Sequence, residues 1–152
     1  MHIGNYLGLV HQSEKDLASA FREVAKAHGD EVDIYQTCLL LAAWSDKHVE
    51  LIKPFVDKYS ETKSKEPDRL KNALFRETRK GSLAMLRDLH DVYLLVTEVD
   101  LCWTILLQAA AGLHDKELIE TCSSVHKETK RQSSWLLTRI KSAAPQTLIA
   151  AE

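Results

Sequence analysis

Nine positions, Met85, Leu89, Val92, Val96, Val99, Trp103, Leu106, Ala110 and Leu113, recur at alternating spacings of four and three in an otherwise mixed stretch of sequence. That period places all nine on one stripe of an α-helix, and a stripe apolar over so many turns must be buried against other helices. A second row, Ile34, Cys38, Leu41, Ser45, His48, Ile52, Phe55 and Tyr59, repeats the pattern over residues 31–59. The chain therefore reads as a bundle of long helices. Gly occurs five times and Pro three times, placed where a helix would start, bend or stop.

Four helices follow from these marks. The first is predicted to open at Ser13 as an N-cap before Leu17, Phe21 and Val24, and to close at His28-Gly29 with Gly29 as a left-handed C-cap. The second runs over residues 31–59 with a kink at Pro54. The third begins at Ser82. The fourth spans residues 115–143 along Ile119, Cys122, His126, Thr129, Ser133, Leu136 and Ile140, ending before Pro145. Between the second and third lie residues 60–81, rich in both charge signs, with Glu66-Pro67-Asp68 as the start of a short helix. The second helix is about 43 Å long, and this connection is long enough to run back along it. Two antiparallel hairpins joined by a long crossover is the expected topology, with an up-and-down bundle as the alternative. All 152 residues fit one domain.

Composition narrows the function classes. A formal net charge of −2 argues against a nucleic-acid partner or a membrane surface. No apolar run reaches the roughly 20 residues of a bilayer span, and the start MHIGNYLGLVHQ lacks the pattern of a signal peptide, so a cytoplasmic address is expected. Cys38, Cys102 and Cys122 lie far apart among apolar neighbours, as core residues do. Trp44, Trp103 and Trp135 fall on three helices, where indoles fill a bundle more readily than they wall a pocket. No nucleophile with its base, phosphate-binding Gly loop or Cys-based metal motif is present.

The chemistry that remains is in LAAWSDKHVELIKPF, residues 41–55, where Ser45 and His48 occupy stripe positions. Interior polar groups of a bundle pair with one another or hold a ligand. A signalling relay would need His48 exposed, and Leu51 and Ile52 follow it in helical contact positions. On the third helix Glu98 is a carboxylate among Leu94, Leu95, Leu101, Cys102 and Ile105.

Two stretches, ASAFREVAKAHGDEVDIYQTCLLLAAWSDKHVELIKPF and VTEVDLCWTILLQAAAGLHDKELIETCSSVHKETKRQSSWL, give the chain a pattern that resembles the ferritin-like superfamily over residues 13–143. Di-iron members of that family use a Glu from each of two helices and a Glu-x-x-His from each of the other two. Carried over, the first helix offers Glu14. The second offers Ser45-Asp46-Lys47-His48, with Ser in place of Glu. The third offers Glu98, and the fourth His126-Lys127-Glu128-Thr129 or Glu128-Thr129-Lys130-Arg131. Two iron ions need bridging carboxylates, so the resemblance implies a ferritin-like protein without a working di-iron centre. The expectation is a non-catalytic binding or structural protein, homodimeric through an outer helix face, with no cofactor and a polar mid-bundle layer in which His48 meets Glu98. The alternative is a redox or storage protein holding one Fe, Mn or Zn on Glu14, His48, Glu98 and His126.

Overall fold

A computed structural model describes residues 1–62 and 73–150, whose regular elements are helices without strands. Four helices, α1 (Ile3–Ala27), α2 (Val32–Lys58), α3 (Ala84–Leu113) and α4 (Lys116–Pro145), pack against one another. A 3-10 turn, Ser60–Thr62, follows α2, and a π-helical turn, Gln146–Ala150, continues α4 past the proline that was expected to lie beyond its end. The short helix predicted from Glu66 lies outside the described residues. Residues 73–83 are not helical, and Leu74 and Phe75 rest half-buried against the core.

The α2 row is buried as its spacing requires, from Ile34 through Ser45 and His48 to Phe55, and the helix continues through Pro54 because that row does. In α3 the row is buried from Leu89 to Ala110, with Met85 half-buried and Leu113 exposed at its ends. Trp103, Phe21, Leu17, Ile52 and Leu106 are among the largest side chains sealed in the core. By length and composition α3 is also apolar enough to cross a bilayer, contrary to the run-length reading. Part of that apolarity faces outward at Leu94 and Leu101.

Three local expectations are corrected. Helix α1 starts at Ile3, well before Ser13, which is buried inside it. Ile3, Leu7 and Val10 extend the stripe of Glu14, Leu17, Phe21 and Val24 at the same four-three spacing, and their burial outweighs the helix-breaking tendency of Gly4 and Gly8. Gly29 is not left-handed. Among the described residues the positive-φ positions are Gly81 and His114, the latter closing α3 at φ 56°. Gly29 answers a close approach instead, since a Cβ there would meet the Ala25 carbonyl oxygen at 3.2 Å. The buried stripe of α4 is Leu118, Cys122, Val125, Thr129, Gln132 and Leu136, turned by one residue from the expected row at alternate steps. Ile119, His126, Ser133 and Ile140 are consequently its half-buried shoulder.

Helix α1 packs on both α2 and α3, and α4 packs on α3 and, less closely, on α2. Polar contacts mark where the helices meet. His28, just after α1, touches Asp88 near the start of α3 at 2.8 Å. Asp33 at the start of α2 accepts from Arg139 near the end of α4 at 2.8 Å, and Lys58 at the end of α2 reaches Asp115, the N-cap of α4, at 2.9 Å.

Candidate functional site

The stripe spacing carries Glu14 and His48 to the same depth of the bundle, each without solvent exposure. The His48 Nδ1 lies 2.9 Å from Glu14 Oε2, and Trp103 of α3 donates its indole N–H to Glu14 Oε1 at 3.3 Å. Both oxygens of the carboxylate are thus engaged from two other helices. The imidazole meets the Trp103 ring edge-on, with centroids 6.5 Å apart and planes at 78°. On the far side of the imidazole, Nε2 lies 3.4 Å from Glu128 Oε1 of α4, and Lys47 places its ammonium on the same oxygen.

The charges in this layer are arranged to offset desolvation. A buried carboxylate costs several kcal/mol unless hydrogen-bonded or matched by a cation, and Glu14 has two donors. Burial alone would push Glu128 up, but Lys47 and His48 together hold its carboxyl below the usual carboxylate range. Ser45, beneath His48 on α2, accepts from Gln132 Nε2 at 3.0 Å, and the same nitrogen donates to the Leu41 carbonyl at 3.0 Å. Gln132 thereby ties α4 to the α2 backbone, while its own Oε1 is buried with no donor among the described residues. Thr129, one turn earlier, is satisfied within α4 by the Val125 carbonyl at 3.0 Å.

Glu14 and His48 are brought together, whereas Glu98 and His126 are engaged elsewhere. Glu98 is half-buried and accepts from Cys102 Sγ at 3.3 Å, so the expected His48–Glu98 pair is replaced by His48–Glu14. His126 Nδ1 lies 3.0 Å from Asp100 Oδ1 on the shoulder between α3 and α4, without the alignment of a hydrogen bond. Among the described residues no three His, Cys, Asp or Glu side chains converge as a metal site requires. The donors agree with that. Each Glu14 oxygen already accepts from a protein N–H, and the oxygen of Glu128 nearest His48 carries an ammonium where a metal would have to approach. The residues of this layer do not fit the alternative of one metal held on Glu14, His48, Glu98 and His126.

The sequence reading passed over Trp103 as a donor and Gln132 altogether. Gln132 lies seven residues after Val125 and four before Leu136, which is the stripe signal that could have found it. It also missed a second buried carboxylate. Asp88 is fully buried near the start of α3, where it accepts from His28, from the Arg79 backbone N–H at 3.1 and 3.2 Å, and from the Arg79 guanidinium at 3.3 Å. Arg79 also reaches Asp91 at 2.7 Å, which with Asp88 raises its already high pKa. This cluster fastens the segment before α3 to the end of α1. The cysteines are reduced core residues, and burial pushes Cys38 and Cys122 up to about 12 and Cys102 higher still.

No family model matches this sequence, and no curated protein or solved structure shows a significant match to it.

Proposed function

We propose that the chain is a ferritin-like bundle whose mid-bundle layer is a closed hydrogen-bonded core, and that it acts as a binding or structural protein rather than a metal-dependent oxidase. The observation that carries this reading is the engagement of both Glu14 oxygens, one by His48 and one by Trp103. A ligand cage keeps carboxylate oxygens open toward a shared point; here both are turned to protein donors. The ferritin-like order of helices, two hairpins with a crossover over residues 60–81, has support in the polar contacts. His28–Asp88 pairs the end of α1 with the start of α3, and Asp33–Arg139 with Lys58–Asp115 pairs α2 with α4 in opposite senses. In that order α2 and α3 run parallel, which requires the connection between them to return along the bundle. The homodimer belongs to the same proposal, and Leu94 and Leu101 on the outer face of α3 are what it would bury.

The test is calorimetric melting during titration with Fe²⁺, Mn²⁺ and Zn²⁺, together with elemental analysis of protein from its native host. A ligand that binds only the folded state at 100 times its Kd stabilises by about 2.7 kcal/mol. The expected result is no saturable rise in Tm and no stoichiometric metal. A stoichiometric metal removed by His48→Ala would replace this reading with the metal-dependent one.

A further inference from the structure

Helix α4 packs less closely on α2 than on α3, and the gap between α2 and α4 is an open groove of about 460 Å³. Its two walls carry indoles, Trp44 from α2 and Trp135 from α4, both half-buried, and its lip is Leu40, exposed at 53%. The expected three-indole layer is therefore divided: Trp103 is sealed in the core, and the other two face this groove. Over Trp44 lies the guanidinium of Arg131, 4.9 Å from the ring centroid, and Lys130 stands beside it. Among the described residues neither cation is paired with a carboxylate, and no acidic side chain lines the groove. Thr37 and Ser134 add hydroxyls along the walls.

We propose that this groove binds a small planar aromatic anion, with its ring between Trp44 and Trp135 and its carboxylate or sulfonate on Arg131 and Lys130. The volume falls within the ordinary range for small-molecule sites, which are mostly apolar with a few placed polar groups. Charge decides the class of ligand. In a chain whose net charge is −2, two cations with no carboxylate partner among the described residues sit where two indoles line one groove. The cation–π contact with Trp44 keeps the Arg131 guanidinium at the groove, where its N–H groups can meet a bidentate acceptor. A cationic or neutral aromatic ligand would use the indoles and leave both charges unanswered. The inference is independent of the mid-bundle reading, since it uses none of Glu14, His48 or Glu128.

The experiment is isothermal titration of the full chain with 2-naphthoate, against 2-naphthylmethylammonium as the probe of opposite charge. Saturable binding of 2-naphthoate with one site per chain is expected, weakened about tenfold or more by the exposed double charge reversal Lys130→Glu with Arg131→Glu. Leu40→Glu, which puts a carboxylate on the lip without touching the core, should weaken it similarly. Circular dichroism establishes that both variants remain folded. Binding should also fall as salt rises, because the cations are exposed. No saturable heat from 2-naphthoate, equal affinity for the two probes, or affinity unchanged by either variant overturns the proposal.

Discussion

Glu14 is fully buried and held by donors from two other helices. Its pairing with His48 was half legible. Burial of His48 and Ser45 followed from a row that runs intact on both sides of them, and Glu14 stood in register with Leu17, Phe21 and Val24. Glu98 misled because α3 is apolar on two faces, so leucines around a carboxylate there did not mean an interior. Asp115 supplies a prediction at this scale. It caps α4 by accepting from the Leu118 N–H at 3.1 Å, and hydrogen bonds from Lys58 and then Tyr59 hold its carboxyl down to about 2. A carboxyl depressed in the folded state stabilises above the unfolded value and loses that contribution as pH falls from about 4 through about 2. Asp115→Ala should cost about 1 kcal/mol near neutral pH. Urea titrations of the two proteins should converge toward pH 2, and a constant difference across that range would remove the carboxylate from the explanation.

At the scale of the helices, period gave type and approximate place, and local punctuation failed. Ser13 looks like a cap and Gly4 and Gly8 look like breakers, yet the stripe through Ile3, Leu7 and Val10 extends α1 by nearly three turns. Burial of three more apolar side chains outweighs two glycines that each cost about 1 kcal/mol in a helix. The rotation of α4 has a similar cause: the side chain that marks the true stripe is Gln132, whose polarity conceals it. Leu7 and Leu106 are both fully buried. Leu7→Ala and Leu106→Ala should each cost about 2 to 4 kcal/mol in chemical denaturation, as cavities in sites that cannot collapse do. A value near zero for Leu7 alone would return the start of α1 to Ser13.

For the whole molecule, four helices packed on one another were readable from two long rows, while the direction of each rests on contacts no sequence row contains. The proposed order of two hairpins and a crossover makes a distance prediction. Spin labels at Val32 and Leu113, both exposed, in a background with the three cysteines replaced, should lie on the order of 40 Å apart if α2 and α3 run parallel, the length of a helix of this size. An up-and-down bundle would bring them within one bundle width. Side chains from all four helices meet around Glu14 and His48. A double-mutant cycle on that pair, measured by urea denaturation, tests the closed polar layer most directly. Glu14→Leu and His48→Leu should each destabilise by about 3 kcal/mol or more, because each strands a buried polar partner. The double variant should cost less than their sum by on the order of 2 kcal/mol. Additive losses would mean that Glu14 and His48 do not satisfy one another and that the layer is not closed.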